Sequence, residues 1–180
     1  MKVFKFGGTS LANATRINRA IALAKAQIAD GIVLVTSAVA GVTDMLQKLA
    51  DTAGDGDTEQ AEGLIRRVES LHHALAVELL GSGSPELEHC GREIELPLVE
   101  LNQIASGLRL LRFSTPRATA SILGFGERLA TLIIAARSSR AGGGTGLPRC
   151  DRGRRHYHFL AEAVPITLRP CSAPHWPPLR

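Results

Sequence analysis

Three short segments carry residues that could do chemistry. The first is Lys5-Phe6-Gly7-Gly8-Thr9-Ser10. Adjacent glycines let a backbone approach a ligand closely and leave N–H groups to point at it. A helix starting just beyond would favour negative charge at its N-terminus. Lys5 adds a point charge, and Thr9 and Ser10 add hydroxyls; together these suit phosphate. The lysine precedes the glycines, so this is neither the Walker-type phosphate loop nor GxGxxG. A tight strand-to-helix turn is the other role open to the two glycines. The second segment runs from Thr36 to Asp44, where Ser37 and Thr43 could donate to a carboxylate or phosphate, or could cap the next helix. The third is Gly124-Phe125-Gly126-Glu127-Arg128-Leu129. A glutamate in such apolar text is paired with Arg128 or another cation, lies on a solvated helix face, or faces a site.

The elements that would position these residues follow from periodicity. Val3 to Phe6 reads as a strand ending at Gly7-Gly8. Ile17, Ala20, Ile21, Ala24 and Ile28 recur at helical spacing, with Asn13 or Thr15 placed to cap and a stop near Asp30-Gly31. Ile32 to Thr36 is a β-branched apolar run, as expected for a strand buried on both faces. Strand, helix and strand in this order predict a βαβ unit with a parallel sheet. Ligands in such sheets bind outside the carboxyl ends of the strands, so the first two segments would line one crevice.

Beyond the second strand the text is helical: Val42 to Ala50, then an acidic loop over Asp51 to Asp57, then Thr58 to Leu80. In that last stretch Leu64, Val68, Leu71, Leu75 and Leu79 form a stripe. Gly81 to Pro85 breaks it. A further helical stretch, Leu87 to Leu111, contains Pro97, where a kink or interruption is expected. Thr115-Pro116 is a cap and first-turn pair for a last helix, which the Gly124-Phe125-Gly126 run is expected to break.

Composition divides the chain. Of 180 residues 44% are apolar, enough for a real core, and the net charge is +4. Residues 1–136 hold 13 basic and 15 acidic side chains, whereas 137–180 hold 8 basic and 2 acidic. The basicity is thus a property of the last 44 residues, which also carry six of the nine prolines and no lysine. Without lysine or interleaved aromatics, that stretch does not read as a nucleic-acid surface. No run approaches the roughly 20 apolar residues of a membrane span, and the start lacks a signal-peptide pattern. Cys90, Cys150 and Cys171 form neither a disulfide framework nor a zinc pattern, which fits a reducing cytoplasm; no metal site is expected. His72, His73 and His89 read as surface helix and loop residues.

Taken together, the three segments resemble aspartate kinase. Lys5 to Ser10 is KFGGTS, a specific match; Ser37-Ala38 followed by Gly41-Val42-Thr43-Asp44 is a second. The third is Thr115-Pro116-Arg117 leading to Gly126-Glu127-Arg128, with Gly124 and Thr131 where the family carries serine. The resemblance covers residues 1–136. It implies an α/β fold of the amino-acid kinase type, a three-layer αβα sandwich, here truncated and with a largely helical middle segment. It also implies transfer of the ATP γ-phosphate to the β-carboxylate of L-aspartate, toward lysine, threonine and methionine. By the same likeness Lys5 stabilises charge, Gly7, Gly8, Thr9 and Ser10 face the ATP phosphates, and Ser37, Thr43 and Glu127 hold aspartate, with Glu127 at its α-ammonium group. Mg²⁺ would accompany the nucleotide.

The family's GRGGSD and TDVDGVYTADPR segments have no counterpart here. The resemblance therefore implies a chain of weak or no activity, or alternatively a non-catalytic fragment that binds aspartate. Pairing in a homo-oligomer or with a full-length kinase subunit belongs to the same expectation. Phe159 to Pro165 resembles a later family phrase, so a reading-frame shift near Ala136 is our reading of the irregular tail 137–180. Resequencing around codon 136 tests it.

Overall fold

A computed structural model describes residues 2–27 and 32–140. β1 (Lys2–Phe6) pairs in parallel with β2 (Ile32–Thr36), in the register Lys2↔Ile32 through Phe6↔Thr36. The connection between them contains a 3-10 turn, Gly8–Leu11, and helix α1 (Ala14–Lys25). The Asn13 side chain accepts from the Arg16 amide at 3.0 Å, the capping expected of it. Ile17, Ala20, Ile21 and Ala24 form the buried face of α1. The predicted helix stop at Asp30-Gly31 lies outside the described residues. Burial of β2 on both faces holds only for its end: Val35 and Thr36 are buried, whereas Ile32, Val33 and Leu34 are half-buried and Val3 of β1 is exposed. Among the described residues the sheet has these two strands, too few to be covered completely.

Four long helices follow: α2 (Val42–Asp55), α3 (Thr58–Leu80), α4 (Pro85–Leu111) and α5 (Pro116–Arg140). They pack on one another, and α1 and β2 rest against the same core. α2 runs on where an acidic loop was expected. Leu46, Leu49, Ala50 and Ala53 continue its buried stripe while Asp51 and Asp55 stay outside. Gly54 is not a turn residue: a Cβ there would lie 3.0 Å from the Cβ of Ser114, so the missing side chain lets the α4–α5 connection approach. The helix ends at Asp55 and is capped by Gly56, whose φ of +81° favours glycine.

α3 matches its expected span, and Asp57 caps it by accepting from the Gln60 amide at 3.0 Å. His72 is a correction. It is fully buried, 0% exposed, with Nδ1 2.7 Å from the Val68 carbonyl oxygen. It stands at i+4 from Val68, on the apolar stripe itself. His89 is likewise helical, on the exposed side of α4.

α4 passes through Pro97 without interruption. A mid-helix proline costs about 3 kcal/mol, and here Ile94, Leu98 and Leu101 are buried on either side of it. α5 begins as expected, with Thr115 Oγ1 accepting from the Ala118 amide at 3.1 Å. It does not break at Gly124-Phe125-Gly126. The reason is again packing, as the site geometry shows. Residues 141–180, and with them most of the tail, lie outside the described residues.

Residues 116–139 of α5 are long and apolar enough to cross a membrane by composition alone. This is not an unbroken apolar run, since Arg117, Glu127, Arg128 and Arg137 interrupt it. Half of the stretch is buried, and Ile122, Phe125, Leu129, Ala130, Ile133 and Ile134 form its core-facing side.

Candidate functional site

Three of the sequence segments meet at Ala38, just beyond the carboxyl end of β2. The ladder extends one bond past the strands, since the Ser37 amide donates to the Phe6 carbonyl at 3.1 Å. A Cβ on Gly8 would lie 3.1 Å from the Ala38 carbonyl oxygen, so only glycine lets the first loop come this near the second. From the opposite side α5 presses in. A Cβ on Gly126 would lie 2.8 Å from the Ala38 Cβ and 3.2 Å from both Leu46 and Val42. Gly126 is therefore a contact point between helix and loop, not a break.

This close approach carries Glu127 into the cluster. Its side chain is 7% exposed, and Oε2 has no hydrogen-bond partner. Burial pushes its pKa above the ordinary carboxylate value, while its own amide and that of Ala38 pull the other way. For Glu127, the solvated-face reading and the pairing with Arg128 are overturned. It is not on a solvated face, and Arg128 is engaged elsewhere, with Glu100 at 2.7 Å and over the Phe125 ring at 4.9 Å.

The other candidates stand around this cluster. Lys5 is exposed on β1, in register with Val35. Gly7 has open space where a Cβ would be, and its carbonyl accepts from the Ser10 amide at 2.9 Å. Thr9 and Ser10 are exposed in the 3-10 turn, and the Thr9 carbonyl accepts from Arg16 Nη1 at 2.6 Å. Ser37 is half-buried, and Thr43 is exposed in the first turn of α2. Neither caps that helix: its N-cap is Gly41, at φ +81°, with no side-chain bond. Thr9, Ser10 and Thr43 thus flank the Ala38 cluster rather than belong to it.

Sequence reasoning missed three contributors. Ala38 was read only as part of a motif, yet it is the hub: its carbonyl lies against Gly8, and its small side chain admits Gly126. Arg16 ties the first loop to α1. Thr36 and Thr131 join their hydroxyls at 2.8 Å, linking β2 to α5. A polar residue ending an apolar strand was the available signal for Thr36.

Among the described residues no three His, Cys, Asp or Glu side chains gather in a way that could hold a metal ion. An open groove of about 750 Å³ lies elsewhere, between α3 and α4, lined in part by Glu62, Glu69, His73, Glu88, Arg92 and Arg109. Its charges already answer one another, as Glu62 with Arg109 at 3.1 Å and Glu88 with Arg92 at 3.9 Å. Beside the Ala38 loop, the group left with an unsatisfied buried oxygen is Glu127.

No family model matches the sequence. The fold is similar to that of Escherichia coli aspartokinase III. The structure of that enzyme with lysine and aspartate, in the T-state, matches 77% of this chain and 28% of its own, at 24% identity and a TM-score of 0.64. Its structure with aspartate and ADP, in the R-state, matches 76% of this chain and 28% of its own, at 27% identity and a TM-score of 0.62. The chain thus spans little more than a quarter of the enzyme it resembles, and over that span it has an aspartokinase-like fold.

Proposed function

We infer that the Ala38 cluster is the aspartate-holding part of a kinase centre that moves the ATP γ-phosphate to the β-carboxylate of L-aspartate. The observation that carries this is Glu127, a carboxylate buried without a cation beside a glycine-lined loop. An α-ammonium group placed there would supply the missing positive charge and favour the ionised carboxylate. Ser37 and Thr43 offer hydroxyls to the substrate carboxylates. Gly7 and Gly8 present backbone toward phosphate, with Thr9, Ser10 and Lys5 beside them, and Lys5 offsets charge on the transferring group. ATP, when bound, supplies the phosphoryl group. The acceptor carboxylate is already ionised at neutral pH, so no general base is needed and catalysis rests on positioning and electrostatics. A three-layer sandwich, a cytoplasmic setting and a role toward lysine, threonine and methionine belong to the same proposal.

A second reading, aspartate binding without turnover, is favoured by the span of the match, 28% of the similar enzyme. One experiment separates them. L-Aspartate should bind the chain, by calorimetry, with affinity lost at least tenfold in Glu127→Gln. Aspartyl phosphate, trapped as the hydroxamate with Mg-ATP, should then form and should vanish in Lys5→Ala. Binding without hydroxamate selects the second reading, and no aspartate binding overturns both.

A further inference from the structure

Two attachments hold α5 across the end of β2, and they differ in kind. Gly126 and Glu127 meet Ala38; one helical turn later, the Thr131 hydroxyl lies 2.8 Å from that of Thr36. Apart from Ser138 near its end, the rest of the buried face of α5 is apolar. Apolar contact is non-directional, so such a face resists sliding or rotation of the helix only weakly. The hydroxyl pair is different: hydrogen bonds weaken steeply when bent, and the Thr36 end of this one is buried, so its hydroxyl loses a partner that water does not readily replace, while Thr131 is half-buried. Thr36 is 3% exposed, and it lies two residues before Ala38. A helical threonine commonly turns its hydroxyl back to the carbonyl four residues earlier, which here is that of Glu127. Thr131 instead reaches across to β2.

We propose that the Thr36–Thr131 hydroxyl pair is a register lock that fixes α5 along β2, so that the Glu127 carboxyl stands at the Ala38 amide. The two threonines are positioning residues. The consequence for aspartate affinity rests on the function proposed above; the lock itself does not.

The test is the double variant Thr36→Val/Thr131→Val, which removes both hydroxyls, keeps their shape and leaves no orphan donor, so the fold should be retained. The Ala38 amide resonance of the isotope-labelled chain reports the carboxyl. Glu127→Gln should move that resonance in the native background, and by less than half as much in the double-valine background. L-Aspartate affinity should fall about tenfold in the double-valine chain, while Thr131→Ser should behave as native in both measurements. An equal displacement of Ala38 in both backgrounds overturns the lock. Loss of that coupling in a chain whose native form binds no aspartate retains the lock and overturns the aspartate reading instead. Should the double-valine chain not fold, Thr36→Val provides the comparison, since the half-buried Thr131 hydroxyl can then turn back to the Glu127 carbonyl.

Discussion

At the scale of single residues, Glu127 and His72 are two buried titratable groups whose environments oppose their charge, and they act on stability with opposite signs. Burial raises Glu127, so its stabilising contribution belongs to the protonated form. That contribution is complete below the ordinary value of 4.5 and is lost as pH rises through the folded value. At neutral pH the ionised carboxylate therefore costs stability. Glu127→Gln should raise Tm at pH 7 by a few degrees, a gain that disappears toward pH 4.5, while aspartate affinity is lost. A lower Tm at pH 7 would make Glu127 a structural group. Burial lowers His72, with the Val68 carbonyl opposing and His73 adding to the effect. Its contribution is complete above the ordinary value of 6.5 and is lost as pH falls through the folded value. The denaturant midpoint of the native chain should thus fall more steeply from pH 7 to pH 5 than that of His72→Leu. Parallel slopes would exclude His72 as the cause.

At the scale of elements, the decisive positions are glycines that serve contact. Gly126→Ala would drive a Cβ to 2.8 Å from Ala38, and overpacking of this kind costs about 1–3 kcal/mol. The variant should show a lower unfolding midpoint and weakened aspartate binding together. Gly7→Ala is its counterpart: no atom lies within 4 Å of the new Cβ, and the native φ of −79° suits alanine. Its stability should be native, so any loss of nucleotide affinity in titrations reports a ligand that needs that space. Unchanged nucleotide affinity would remove Gly7 from the phosphate loop. Gly54 and Gly126 also explain where helix ends were misjudged. Read locally, a glycine breaks a helix; here each admits a neighbouring segment, and the neighbour is remote in sequence.

At the scale of the whole molecule, α1 to α5 share one core, and Cys90 samples it. This thiol is buried in α4, and burial pushes its pKa up to about 11, with Glu93 adding to the effect. Thiolate is the reactive form, so Cys90 should be inert in the folded chain. With Cys150 and Cys171 replaced by serine, labelling by a disulfide reagent should proceed only at the rate of global unfolding measured by circular dichroism. Faster labelling would mean that α4 opens independently of the core.

The βαβ unit, the caps at Asn13 and Thr115 and the span of α3 were legible in the sequence, because each depends on neighbours a few residues apart. So was the approach of the Gly8 loop to the loop after β2, since a parallel pair places both loops at one end of the sheet. The burial of His72, the continuity of α5 through Gly126 and the orphaned carboxylate of Glu127 were not. Each depends on what another element brings against it. The sequence determined which residues could do chemistry and which end of the sheet they share. Only the tertiary structure decided that Glu127 is buried with one carboxyl oxygen left unpaired, because that follows from how closely α5 can approach Ala38.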